Sequence, residues 1–208
     1  MTLLEVVDYP DLDLRHLTVE LPTRLGELPS PDWLQDALVD GCEPPVRAGE
    51  WTKATVRDLF RHRGYRPTGR GKPSSEYLLG AHAKGALGSI NAAVDCGNLV
   101  SLHSGLPISV VDLDRTSGAL RVDVPGPDSS YIFNQSGQTI DVGGLLCLFD
   151  DDGPCANAVK DAQRTKTDAT TRRLLVVIWS PRCPERDYPD RAVAWLAELA
   201  ARLGAEVR

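Results

Sequence analysis

Amide, ammonium and guanidinium groups crowd the stretch from Gly153 to Lys166, where Asn157, Lys160, Gln163, Arg164 and Lys166 recur at short intervals. Such groups hold phosphate and ribose oxygens: Arg and Lys neutralise charge, and Asn and Gln add directed donors. A second cluster lies upstream. Arg61, Arg63, Arg66, Arg70 and Lys72 place five positive charges and no acid between residues 61 and 72. Phosphate contact needs clustered cations, and this is the densest cluster in the chain. A plainer reading stands beside each: a solvated surface stretch at 61–72, and a capped or ion-paired turn at 163–166.

Other candidates carry less. Ser101, His103 and Ser104 raise the chemistry of a nucleophile beside a base. On a helix Ser101 and Ser104 are i, i+3 neighbours while His103 points elsewhere. Asp150-Asp151-Asp152 could ligate a cation, but three adjacent side chains in a turn diverge. The five cysteines (42, 96, 147, 155 and 183) contain no CxxC, and the histidines at 16, 62, 82 and 103 lack metal-ligand spacing. No metal is expected, and the thiols read as buried or idle in a reducing compartment. Gly69-Arg70-Gly71-Lys72 is not by itself a phosphate-cradling glycine loop. No cofactor is expected.

The elements that must position these groups follow from pattern. Apolar runs at 3–8 and 12–21, bounded by Pro10 and Pro22, read as strands. Ser30-Pro31 starts a helix carrying Trp33, Leu34, Ala37 and Leu38, and residues 50–62 form a second with Val56, Leu59 and Phe60 on one face. Ser74 or Ser75 caps a helix near 75–85, and Ser89 opens another to about 104 with Ile90, Val94 and Val100 inward. Short β-type runs follow at 107–112, 119–124, 131–133 and 145–149, with 114–118 as a hairpin connection. Leu174 to Trp179 reads as a central buried strand, and 189–203 as a final helix with Ala192, Trp195, Leu196, Leu199 and Leu203 on one face.

At 208 residues and 42% hydrophobic content the chain can bury an ordinary core. No apolar run reaches the roughly 20 residues of a membrane span. An acid at Glu5 interrupts the N-terminus early, so no signal peptide is expected and a cytoplasmic protein is. The net charge of −6 argues against a general nucleic-acid coat and puts weight on the local cation clusters.

Residues 89–124 carry Val94-Asp95, Asn98, Gly105-x-Pro107, Asp112-Leu113-Asp114, and Gly118 before a strand. At that spacing the segment resembles the B3/B4 editing domain of the phenylalanyl-tRNA synthetase beta chain, and the likeness continues more loosely across roughly 74–180. The resemblance implies an α+β fold, a single domain whose mixed, layered, sandwich-like β core is covered by peripheral helices. It divides the chain into N-terminal strands and helices packed on the core (1–60), the B3/B4-like unit (61–183) and a C-terminal helix (184–208).

It also implies a chemistry: hydrolysis of the ester joining a wrong amino acid to the terminal ribose of tRNA, by positioned water and oxyanion donors without a side-chain nucleophile. Carried over singly, Asn98 and Pro107 match the family's pocket residues. Ser109 stands where the synthetases have histidine, Val176 where they have a carboxylate, and Ala156-Asn157 where they have paired glycines. A site that reads a tyrosine hydroxyl needs buried polar partners, so tyrosine selection is not expected. The expectation is a free-standing aminoacyl-tRNA deacylase holding a CCA end. Its acyl group lies among Asn98, Pro107, Ser109, Ala156, Asn157 and Val176. Arg61, Arg63, Arg66, Arg70, Lys72, Lys160, Gln163, Arg164 and Lys166 hold phosphate. The alternatives are a non-catalytic tRNA-end or amino-acid binding module and a hydrolase of another acyl or peptide bond. No membrane or DNA partner is expected.

Overall fold

The computed structural model describes residues 4–208, so the start of the strand expected at 3–8 lies outside them. In chain order the elements are β1 (Glu5–Val6), β2 (Arg15–Glu20), α1 (Asp32–Val39), α2 (Thr52–Arg61), α3 (Ser74–His82), α4 (Ala92–Ser104), β3 (Ile108–Asp112), β4 (Arg121–Asp123), β5 (Ser130–Ile132), β6 (Thr139–Asp141), β7 (Cys147–Asp150), β8 (Gly153–Asn157), β9 (Arg173–Ile178), α5 (Tyr188–Arg202) and β10 (Glu206–Val207).

Burial decides how the sheets stack. β9 is buried from Leu174 to Ile178, and a strand apolar on both faces must be covered on both. It is central, in an antiparallel sheet of order β10-β2-β9-β3, with Leu17 and Val110 on either side of Val176. Alternation along β3 then assigns the faces. A Cβ on Gly97 of α4 would lie 2.9 Å from Val110 Cγ2 and 3.6 Å from Ile108 Cγ2. α4 therefore covers the face bearing Ile108 and Val110. α5 joins it there, where Leu196 and Ala200 enclose a small gap with Ala93, Cys96, Leu174 and Val176. Ser109, one residue out of phase, points to the other face, where its hydroxyl oxygen lies 3.1 Å from the Asn157 carbonyl of β8. A second sheet, β1-β4-β7-β8, thus backs the first. The layers run helices, sheet, sheet, which is the α+β, sandwich-like arrangement expected.

Several expectations change in detail. The segment 1–60 does more than pack on the core, because β2 is an internal strand of the first sheet. β10 follows the last helix and extends the same sheet, so 184–208 is not helix alone. The link 114–118 is no hairpin: β3 pairs with β9 while β4 pairs with β1 and β7, so the chain crosses between sheets. Asp112 turns it, accepting from Asp114 N at 2.9 Å and from the Thr171 hydroxyl at 2.6 Å. α4 begins at Ala92, capped by the Asn91 side chain accepting from Val94 N at 3.0 Å. Ile90 therefore falls before the helix and is 68% exposed rather than inward. Neither Ser74 nor Ser75 caps α3; Pro73 precedes it and Ser74 is its first residue. Polar and glycine-rich composition hides the β6 and β8 strands from a reading by pattern.

The close approach of Gly97 to β3 gives a direct test of this layering. Gly97→Val should overpack α4 against β3 and lower stability by about 1–3 kcal/mol. Thermal or urea unfolding reads this, and an unchanged midpoint would contradict the tight helix–sheet packing.

Candidate functional site

The residues expected to share an acyl pocket do not share one. Asn98 belongs to α4 and Val176 faces the helices, so both lie on the helix-covered side of the first sheet, while Ser109 and Asn157 lie between the sheets. Pro107 is buried with its carbonyl accepting from Trp179 N at 2.9 Å, and Ala156 is 0% exposed inside the second sheet. Single-residue matching cannot see that a strand sends neighbours to opposite faces.

The inter-sheet polar groups are already satisfied by one another. Trp179 Nε1 donates to Ser109 Oγ at 2.9 Å, and Ser109 Oγ donates to Asp161 Oδ1 at 2.7 Å. Asp161 Oδ1 also accepts from Asn157 N at 3.2 Å. Asn157 Oδ1 accepts from Val159 N at 2.7 Å and Lys160 N at 3.0 Å, and Asn157 Nδ2 donates to the Tyr131 hydroxyl. The Tyr131 hydroxyl in turn donates to the Lys160 carbonyl. With Trp179 fully buried beside Ser109, the space expected for an acyl group is protein core.

Open space lies just beyond that network. A cleft of about 740 Å³ is lined by Tyr65, Arg70, Gly71 and Tyr77 on one side, by Phe133 and Gly137 to Asp141 on the other, and by Lys160. The first wall is built by hydrogen bonds to the 3-10 turn Gly69–Gly71: Tyr65 donates to the Gly71 carbonyl at 3.1 Å and Tyr77 to the Gly69 carbonyl at 3.0 Å. The second wall is the β5–β6 hairpin, which among the described residues pairs only with itself. Lys166 Nζ braces it by donating to the Phe133 carbonyl at 2.6 Å. Two lysines rest on rings here, Lys160 Nζ 4.0 Å from the Phe133 centroid and Lys72 Nζ 4.4 Å from that of Tyr77.

The cation clusters divide accordingly. Arg70 and Lys160 line the cleft and Lys72 flanks it; Arg63 and Arg66 are exposed in the chain on either side of Tyr65. Arg61 instead pairs with Asp58, one helical turn back. Arg164 is committed to structure, its fork gripping both oxygens of buried Asp150 at 2.6 Å and the Gly153 carbonyl at 3.0 Å. Gln163 opens the 3-10 turn Gln163–Thr165 and lines none of this cleft. Tyr77, Phe133, Tyr131 and Asp161 belong to the site and escape a reading of the sequence. The one signal for the cleft aromatics there is Tyr65, set among the arginines of 61–72.

Electrostatics mark the same region. Burial, and then Arg70, hold the Lys160 ammonium below its usual range, and burial does the same to Lys166. Burial lifts the Tyr65 hydroxyl to about 12. Asp161 is lifted to about 6 by desolvation, against the opposing hydrogen bonds from Ser109 and Asn157 and the charge of Lys166. A cleft whose cations press on one another gains by taking in an anion.

The remaining candidates serve the fold. Ser101 Oγ donates to the Leu106 carbonyl at 2.7 Å and Ser104 Oγ accepts from Leu106 N at 3.2 Å, closing the end of α4. His103 turns instead to Cys42, Nε2 to Sγ 3.7 Å, and to the Trp195 ring. All five cysteines are free, with Cys96 and Cys155 pushed by burial to about 12. Asp150 is held by Arg164 and Asp152 accepts from the Ser117 hydroxyl at 2.6 Å, so the triple acid is a braced turn. Among the described residues no His, Cys, Asp or Glu cluster is placed to hold a metal, and no helix is long and apolar enough to cross a membrane.

Comparison with known proteins covers this region. A family described as the B3/4 domain matches residues 63–181, more than half of the chain. Over 89 residues the chain is 34% identical to the phenylalanine–tRNA ligase beta subunit of Bartonella henselae; the match covers 42% of this chain and 11% of that one. The chain thus spans about a tenth of that relative's length. Among solved structures, an N-terminal fragment of the phenylalanyl-tRNA synthetase beta subunit from Pyrococcus horikoshii aligns with a TM-score of 0.46 at 9% identity, covering 56% of this chain and 41% of that one.

The Asp161 shift sets a pH dependence whose sign is fixed. A carboxyl raised in the folded state binds its proton more tightly there, so its contribution favours folding at low pH and is lost as pH rises through about 6. The stability of the native chain minus that of Asp161→Asn should therefore fall between pH 4 and pH 7. Equal pH profiles for the two proteins would contradict the desolvated carboxyl.

Proposed function

Because the chain belongs to the B3/4 domain family, we propose that it binds the single-stranded 3′ end of aminoacylated tRNA in the cleft between Tyr77 and Phe133. One observation carries this reading: the cleft combines aromatic walls with cations that no acid neutralises. Arg70, Lys72 and Lys160 surround it with Arg63 and Arg66 nearby, and among the described residues none of the five is in an ion pair. Single-stranded nucleic acid is held this way, by stacking of bases on rings and by cations along the backbone. Asp141 is the lone acid in the lining among the described residues. The relative at 34% identity is a tRNA ligase subunit, which gives the nucleic acid its class.

Deacylation in trans is the second reading, and Asp161 favours it. A carboxyl lifted to about 6 suits proton transfer to or from water at neutral pH, and it is joined through Asn157 and Tyr131 to the main-chain carbonyl of Lys160, whose side chain lines the cleft. Water would attack the ester carbonyl with help from the ribose hydroxyl. Tyrosine selection has no support, since Ser109 is committed to Asp161 and Val176 lies in the core. Binding without turnover ranks first because the expected acyl pocket is filled.

Two measurements separate the readings. Intact tRNA should bind at least tenfold more tightly than tRNA lacking its CCA end. Replacing Arg63, Arg66 and Arg70 with Ala should flatten the dependence of log affinity on log salt by roughly 0.7–0.9 for each phosphate that the variant no longer neutralises. Equal affinity with and without the CCA end would remove the proposal. A panel of mischarged tRNAs then decides turnover: accelerated ester loss on any member places the deacylase first, and none leaves a binding module.

A further inference from the structure

The two lysines on aromatic rings divide the cleft further. Lys72 over Tyr77 stands on the helical wall, and Lys160 over Phe133 stands beside the hairpin wall. Each is a complete unit for one nucleotide, a ring face for the base and a tethered ammonium for the phosphate. As the chain is folded, each ammonium occupies the face that a base would use. A single cation–π interaction at a partly exposed site is worth less than a stacked base. Exchange is therefore favourable: the base takes the ring, and the ammonium swings on its flexible stem to the phosphate of the same nucleotide.

Resting on the acceptor-end reading of this cleft, we infer that it holds two consecutive unpaired nucleotides, one on Tyr77 with Lys72 and one on Phe133 with Lys160. Three features support the count of two. Tyr65, the third aromatic of the lining, carries no cation on its ring among the described residues, unlike Tyr77 and Phe133, so it shapes the wall and is not a third unit. Arg70, on the first wall, adds one unpaired cation whose charge reaches both Tyr77 and Lys160, so it can meet the phosphate linking the two nucleotides. The volume of about 740 Å³ lies within the range of ligand-sized pockets, roughly 300–1,000 Å³, and well short of an extended groove. Specificity follows from the same parts. Ring faces accept any base, so the subsites read single-strandedness and spacing more than sequence. A nucleotide paired in a duplex cannot offer its face.

Length-dependent binding tests the count. Oligoribonucleotides of one to four residues ending in CCA, or the 3′ part of it, would be titrated by calorimetry against the full chain. Affinity should rise by roughly 5- to 150-fold from one to two nucleotides, the worth of one stacked base, and change less than threefold on adding a third or fourth. Tyr77→Leu and Phe133→Leu should each remove most of that step in protein whose cooperative unfolding shows it folded, and Tyr77→Phe, which loses the hydrogen bond to Gly69 but keeps the ring, should retain more of it than Tyr77→Leu. Lys72→Ala and Lys160→Ala should each lower the salt slope by about 0.7. A steady rise through four nucleotides, or a step unaltered in both leucine variants, overturns the two-subsite inference while leaving acceptor-end binding standing. Failure of every oligonucleotide and of intact tRNA to bind overturns both.

Discussion

The hydrogen-bond chain from Trp179 through Ser109 to Asp161 and Asn157 is the interaction on which the site depends. It ties β3 of one sheet to β8 of the other and fixes the loop 157–166 against both. That loop places Lys160 in the cleft and Lys166 beneath the β5–β6 hairpin. A buried polar network is stabilising only when every member is partnered; leaving one group unpaired costs about 1–3 kcal/mol. The indole N–H of Trp179 closes that condition at one end and the main-chain N–H groups of Val159 and Lys160 at the other, so Ser109 and Asn157 are not free to receive a ligand. Closing the inter-sheet space and holding open the neighbouring cleft are thus two consequences of one arrangement.

Many arginines outside the cleft pair with acids: Arg57 with Glu76, Arg115 with Asp168, Arg164 with Asp150, Arg173 with Asp114. Around Tyr65, Tyr77 and Phe133 the cations rest on rings or stand in solvent. In a chain of net charge −6 such a local excess is a focused positive potential facing a mainly negative body. This favours one end of a polyanion over broad coverage of it. The hairpin forming the second wall is anchored by Tyr131, Lys166 and the Lys160–Phe133 stack and, among the described residues, by no sheet partner.

Much of the fold is legible in the sequence because it follows from period and burial. Leu174 to Ile178 can only be a central strand, and the faces of α2 and α5 are set by Val56, Leu59 and Phe60 and by Ala192, Trp195, Leu196 and Leu199. Gly153–Asn157 is not legible as a strand, since Gly, Pro and Asn argue for a loop; it holds because β7 pairs with it across a register shift at Leu148/Phe149. The site is half legible. Arg70, Lys72 and Lys160 are visible as charge, and Tyr65 lies among them. Phe133 and Tyr77 come from distant elements with no shared pattern, so only the folded chain brings them opposite each other. Asn98 and Val176 mislead because family spacing along the chain carries no record of which face of a sheet a residue takes. Arg164 misleads because its partner, Asp150, lies across a hairpin.

The most direct measurement is a map of backbone amide shifts on adding a CCA trinucleotide to the isotope-labelled chain. Binding in the cleft should move the amides of Tyr65–Tyr77, Phe133–Asp141 and Lys160 and leave those of Asn98, Leu106 and Val176 in place. Shifts centred on Asn98, Leu106 and Val176, with the hairpin unmoved, would contradict the account.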